Sequence, residues 1–215
     1  MTDHNLDPIA ASRRLPAAFV DQARRFHQES ATPVEPRQAA TVMMLRDRPS
    51  ADGIDVYMIR RAASMAFAAG LYAFPGGGKD PQDIDVRATA VREMTEETGV
   101  RLTEPVAWSR WITPEFEPRR YDTWFYVARQ PTGQTPRDIS GEASWAGWLD
   151  PAGALRDHGD RMLPPTAVTL TELAEHRSVA QVLESAARRD LTPVRPRLRW
   201  DVEPPRLVLP GDEDY

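Results

Sequence analysis

Glu93, Glu96 and Glu97 lie within five positions of each other in the segment VREMTEETG. The stretch Val86–Thr98 around them has helical spacing and is stopped by Gly99, a residue suited to the left-handed turn after a helix. With Glu93 set at zero on a helical wheel, Glu97 falls at about +40° and Glu96 at about −60°. All three carboxylates therefore share one face. Ala88, Val91, Met94, Thr95 and Thr98 fall on the other side and are expected to meet the core. Like charges at this spacing destabilise a helix, so stability alone would not select them. A hard divalent cation such as Mg²⁺ reverses the sign of the interaction, because it takes oxygen ligands and binds jointly with substrate phosphates. Acidic helix faces are more often simply solvated. What favours a metal site here is the preceding run FPGGG (74–78), whose glycines allow close approach and leave carbonyls free for a cation.

The elements that must position this helix can be read on either side of it. AATVMML (39–45) and DVYMIRR (55–61) are short, apolar and β-branched, with PSADG as the turn between them, and read as a strand pair. LYAF (71–74) reads as a third short strand. VAWSRWI (106–112) and YDTWFYVA (121–128) read as two more, and 130–141 as a Pro/Gly/Thr loop. Pro151 starts a short helix over 151–157, and residues 165–176 and 178–189 read as further helices. Upstream, 1–15 reads as a flexible arm, 16–29 as a helix with Ala18, Phe19, Ala23 and Phe26 on one side, and 31–37 as a linker. In the Pro-rich tail, RLVLP is expected to pack as an edge strand or to stay extended. Strands and helices mix without strict alternation, which gives an α+β class with a mixed sheet. The expected division is an N-terminal arm and helix at 1–37, a catalytic domain at 38–190 and a tail at 191–215.

The segment Arg92-Glu93-Met94-Thr95-Glu96-Glu97-Thr98-Gly99-Val100 resembles the second half of the Nudix signature at every specified position. That signature runs Gly, five residues, Glu, seven residues, Arg-Glu-apolar-x-Glu-Glu-x-Gly-apolar. FPGG (74–77) is similar to its usual approach. The early Glu is the one departure. Counting back from Arg92 gives Gly78 as expected but Ile84 in place of Glu; counting forward from Gly77 reaches Asp83 with one residue to spare. The loop has gained a residue, and Asp83 or Asp85 stands in for the Glu.

The resemblance implies an α/β/α Nudix sandwich with a mixed sheet and extra C-terminal helices. It implies that Glu93, Glu96 and Glu97 bind Mg²⁺ or Mn²⁺, that the Gly76 carbonyl adds a ligand, and that Arg92 orients the carboxylates. Gly77, Gly78 and Asp83 are the supporting positions. Many members carry a further carboxylate on a loop, as metal ligand or general base; Glu142, six residues before Trp148, sits where it often lies, with Glu115 and Glu117 as weaker candidates. Glu96, Glu97 and Glu142 are thus the expected catalytic set. Arg61-Ala62-x₃-Ala66-x₃-Gly70-x₃-FPGG is similar to the motif of coenzyme A-cleaving members, apart from Ala66 where that motif has Arg. The run to WITPE and PRRYDTWFYVA resembles the branch of peroxisomal coenzyme A hydrolases. Arg61, with Arg119 and Arg120, is the expected phosphate-binding set. Coenzyme A or acyl-coenzyme A is the expected substrate, with ADP-ribose, nucleotide sugars or nucleoside triphosphates as alternatives. A binding module that does not cut is the competing class.

Composition narrows the field further. With no cysteine in 215 residues, disulfides, thiolate metal sites and cysteine nucleophiles are excluded. A formal net charge of −5 argues against wrapping nucleic acid. No apolar run reaches the roughly 18–20 residues of a membrane span, and MTDHNLDPIAASRRL lacks the apolar core of a secretory signal. The expectation is a cytoplasmic protein. Relatives often form homodimers, although no interface pattern is visible here. The four histidines are scattered without ligand spacing.

Overall fold

The computed structural model describes residues 17–49, 52–64, 68–202, 205–209, 212 and 215. The arm at 1–15 and Ala66 lie outside them. The chain runs α1 (Ala17–Gln28), β1 (Arg37–Asp47), β2 (Ile54–Arg61), β3 (Tyr72–Ala73), β4 (Gly76–Gly78), α2 (Val86–Thr98), β5 (Val106–Ile112), β6 (Tyr121–Arg129), β7 (Ala143–Leu149), α3 (Pro151–His158), α4 (Pro164–Ala174), α5 (Val179–Ala186), β8 (Arg197–Arg199) and β9 (Arg206–Val208). Among the described residues no helix is long and apolar enough to cross a membrane.

Among the described residues β1 is the centre of a seven-stranded mixed sheet. It pairs in parallel with β6 along nine positions, from Arg37–Tyr121 to Leu45–Arg129. Its other edge is shared: Leu45–Asp47 pair antiparallel with β2, and Ala39–Thr41 pair antiparallel with β4. β7 lies along β2, and β5 along β6. Alternation along β1 feeds two cores. Ala40, Val42 and Met44 face α2, together with Ala90, Met94 and Val100. Met43 and Leu45 face the other way, onto Leu155 of α3, Leu170 and Leu173 of α4, and Val179 and Val182 of α5. The result is the expected α/β/α sandwich.

β4 and β7 were not expected as strands. Three glycines carry no β signal, and Ala-Ser-Trp-Ala-Gly-Trp-Leu lacks the β-branched residues that mark a strand; pairing with β1 and β2 decides both. In the tail Arg206–Val208 form β9, which pairs with β8, and Leu207 and Leu209 enter the core below the sheet. Val194 also extends the sheet edge, donating to Arg110 O at 2.8 Å and accepting from Ile112 N at 2.9 Å.

Candidate active site

The FPGG turn is fixed to the middle of the sheet. Thr41 donates its hydroxyl to Pro75 O at 2.7 Å, and Val42 N donates to the same carbonyl at 2.9 Å. Gly76 then runs at φ 155, and a Cβ there would collide with the backbone of Ala40 and Thr41, so only glycine fits. A Cβ on Gly77 would fall onto the Glu93 carboxylate. The turn and the helix thus touch where Gly77, lacking a side chain, leaves room for the Glu93 carboxylate.

α2 is capped at its start by Asp85, whose Oδ1 accepts from Ala88 N at 2.7 Å, and at its end by Gly99, with φ 73 and its N–H on Thr95 O. Its buried residues are Thr89, Ala90, Met94, Glu97 and Thr98. Ala88, Val91 and Thr95, expected in the core, are only half-buried. The helix is rolled so that its acidic stripe meets β4. Glu97 is 6 % exposed and takes the Gly76 N–H at 2.9 Å; Glu93 is half-buried; Glu96 turns outward, with its side chain 58 % exposed.

Arg92 gathers the loop and the helix. It donates from Nε and Nη2 to Asp83, at 3.0–3.3 Å, from Nη2 to Gly78 O at 3.0 Å and from Nη1 to Glu96 at 2.8 Å, and it lies 3.0 Å from Glu93 Oε1. Asp83 is 8 % exposed and also accepts from Asp80 N and the Thr89 hydroxyl. Of the two aspartates that could replace the early signature Glu, Asp83 is the one that meets Arg92, and Asp85 is the helix cap. Ile84, in the signature position itself, is 90 % exposed. Asp83, one place before Ile84, is thus the acid of this loop that reaches the helix.

Electrostatically the two ends of this network differ. The Arg92 guanidinium holds Asp83 down to about 2. Burial pushes Glu97 up to about 7; the Gly76 N–H and Arg61 pull the other way, while the charges of Glu93 and Glu142 add to the rise. Glu93 is also raised, first by burial, with Arg92 opposing and Glu96 and Asp80 adding. The segments that carry Arg61 and Glu142 are joined to each other: Ala62 N donates to Glu142 O at 2.8 Å, where β2 ends and β7 begins.

Other candidates are not brought there. Arg120 is spent on the carbonyls of Thr113 and Val34. Arg119 is exposed at the β5–β6 turn. Among the described residues no hydrogen bond or ion pair ties either to the glutamates. Glu115 is exposed, and Glu117 is a half-buried acid beside Gln22 on α1.

Among the described residues no three acidic or histidine side chains converge as a ready cation cage, and Arg92 engages Glu93 and Glu96. The chemistry of the donor set does fit a hard divalent ion: it consists of carboxylate and carbonyl oxygen, and it includes a buried acid whose charge is opposed by two others.

A family model described as NUDIX domain matches residues 35–167, more than half of the chain. The chain belongs to the Nudix family. Within this family it is 38 % identical over 64 residues to an uncharacterized Nudix hydrolase, NudL, of Photorhabdus laumondii, covering 30 % of this chain and 33 % of the relative. It is 34 % identical over 82 residues to the mitochondrial coenzyme A diphosphatase NUDT8 of Mus musculus, covering 33 % of this chain and 39 % of the relative. The chain thus matches well under half of each relative's length. A NUDIX hydrolase structure from Alicyclobacillus acidocaldarius superposes with TM-score 0.62 at 22 % identity, over 74 % of this chain and 99 % of the other. The NUDIX domain of Shewanella oneidensis NrtR, in complex with ADP ribose, superposes with TM-score 0.52 at 17 % identity, over 75 % and 97 %. These structures share the Nudix fold.

The loop residues behind Glu142 escaped the sequence reading. Arg137, Asp138 and Ile139 connect it to α2, and the only signal for them was the turn-forming string Asp-Ile-Ser-Gly.

Proposed function

We propose that this Nudix protein is a divalent-metal-dependent hydrolase that cuts a diphosphate bond in a nucleoside diphosphate-linked small molecule, with coenzyme A or an acyl-coenzyme A as the substrate. One observation carries the reading: a buried glutamate, Glu97, is held by the Gly76 N–H against a side-chain-free turn and shares its surroundings with Glu93, Glu142 and Arg61. A buried acid crowded by other acids is costly for folding and useful for binding a cation. The name of the mouse relative supports coenzyme A over other diphosphates.

Glu93, Glu96 and Glu97, with the Gly76 carbonyl, would hold Mg²⁺ or Mn²⁺. The bound metal would supply charge neutralisation for the phosphates and a water of lowered pKa. Arg61 would steer a phosphate toward Glu97, and Arg119 would offer a second cation at the β5–β6 turn. Arg120, with its guanidinium already bonded to two carbonyls, has less left to offer a ligand. Arg92 would keep Glu93 and Glu96 oriented, itself anchored by Asp83. Glu142 would take the proton from the attacking water. The water oxygen bonds to one phosphorus, the bridging P–O bond breaks, and its electron pair leaves with the other phosphate. No covalent enzyme intermediate forms.

The test is a panel of coenzyme A, ADP-ribose, NADH and ATP, each incubated with Mg²⁺ or Mn²⁺, with products separated by chromatography. Coenzyme A is expected to give 3′,5′-ADP and 4′-phosphopantetheine. Cleavage of ADP-ribose instead would keep the diphosphatase and reject the substrate. No turnover of any compound would leave a nucleotide-binding module.

A further inference from the structure

The loop that delivers Glu142 is tied to the glutamate helix by backbone bonds. α2 ends at Thr98, and the last carbonyls of a helix have no partner within it. Here Thr98 O accepts from Arg137 N and Glu97 O from Ile139 N, both at 3.1 Å. The same residue that presents its carboxylate to Gly76 thus presents its carbonyl to the loop. From Ile139 the chain needs only three residues to reach Glu142, and Asp138 folds them. Its Oδ1 accepts from Gly141 N at 3.2 Å and from the Ser140 hydroxyl at 3.3 Å. Ser140 Oγ in turn accepts from Glu142 N at 3.2 Å. Gly141 turns at φ 73, a conformation that a side chain would strain. At the far end Glu142 O is fixed by Ala62 N at 2.8 Å.

We propose that Asp138 is a positioning residue: its carboxylate folds the 138–141 turn that runs from the Glu97 carbonyl to Glu142, so that the two carboxylates keep one relative placement. This rests on the hydrolase reading above and deepens it. Asp138 touches neither reacting atom in this scheme. It acts only through Glu142.

The test is a double-mutant cycle on the full chain, using the panel compound that the unsubstituted protein cuts fastest with Mn²⁺. Asp138→Ala is expected to lower kcat about tenfold, with KM changed less than about threefold, the scale of losing a supporting partner. Asp138→Asn keeps a side-chain oxygen acceptor and is expected to recover most of kcat. In a Glu142→Gln background, Asp138→Ala is expected to have no further effect on kcat. A full loss from Asp138→Ala in that background would overturn the proposal, as would unchanged kcat in Asp138→Ala. If Glu142→Gln alone leaves kcat unchanged, the role of Glu142 fails and the proposal with it. If the unsubstituted protein cuts nothing, the hydrolase reading fails first. Should Asp138→Ala not fold, Ser140→Ala removes the next bond of the same turn and is judged by the same cycle.

Discussion

Each face of the central sheet carries a cluster of charge, and the two are built on opposite rules. Below the sheet, Glu172 of α4 gives one oxygen to Trp108 Nε1 at 2.8 Å and the other to Arg189 Nη2 at 2.7 Å. Arg189 also donates to Trp108 O at 2.7 Å and lies 4.0 Å over the indole ring. His176 meets the same ring edge-on and reaches Glu172 O and the Ser185 hydroxyl. Here one acid meets one guanidinium, and both carboxylate oxygens have a donor. Above the sheet, Glu93, Glu97 and Glu142 share one neighbourhood, and two of them are pushed away from ionisation by burial. A carboxylate matched one-to-one with a guanidinium holds helices in place. Carboxylates crowded together and partly buried oppose one another's charge and cost stability. The contrast is what separates a structural ion pair from a candidate site, since both are partly buried and both are charged.

The strongest test of the contrast separates activity from stability. Glu97→Gln removes a carboxylate charge from the crowded cluster while keeping an acceptor for the Gly76 N–H. It is expected to lower kcat at least about a hundredfold, since it deletes a metal ligand in the proposed scheme, and to leave the melting temperature unchanged or higher. Glu172→Ala should do the reverse. Trp108 and Arg189 lose their acceptor, which costs about 2 kcal/mol for hydrogen bonds to a charged group, while kcat stays within about twofold. Steady-state kinetics and urea unfolding on both variants decide it. A fully active Glu97→Gln would reject the site.

A smaller effect probes the glycine turn. Gly77→Ala places a methyl where the Glu93 carboxylate now lies and should drive that side chain aside. A loss of about tenfold in kcat and a weaker Mn²⁺ requirement curve are expected, on the scale of displacing a single supporting contact. Gly78→Ala is the control, because a Cβ there meets nothing within 4 Å. Equal losses in both variants would mean that the turn matters only for folding.

Much of the upper cluster was legible in the sequence. The helix bounds at Val86–Thr98, the stop at Gly99 and the five principal strands follow from apolar spacing, and the acidic stripe follows from the wheel. The roll of that stripe did not follow. A wheel treats charged positions as solvent-facing, whereas the turn at Gly76–Gly77 offers Glu97 an N–H and Glu93 the space of an absent side chain, and so draws both inward. Asp83 and Asp85 could not be separated by counting, because either acid can cap a helix; only the approach of Arg92 tells them apart. The satisfied cluster was invisible for a plainer reason. Trp108, Glu172 and Arg189 are up to 81 residues apart in sequence, and no local pattern joins them.

The gentlest test uses pH, and it sets two acids of the upper cluster against each other. Glu97 is raised from an ordinary 4.5 to about 7, so between those values the folded protein holds a proton that the unfolded chain has released. Stability contributed by this group is full below about 4.5 and falls as pH rises toward 7. Asp83 is lowered from 3.8 to about 2, so its contribution is present above 3.8 and is lost as pH falls toward 2. With metal removed by EDTA, the melting temperature should therefore decline from pH 5 to pH 7.5, and Glu97→Gln should flatten that decline. Millimolar Mn²⁺ should restore stability more at pH 7.5 than at pH 5, because a cation binds the ionised carboxylate. A decline of the same slope in Glu97→Gln, or a Mn²⁺ effect independent of pH, would show that the buried acid is not what the metal answers.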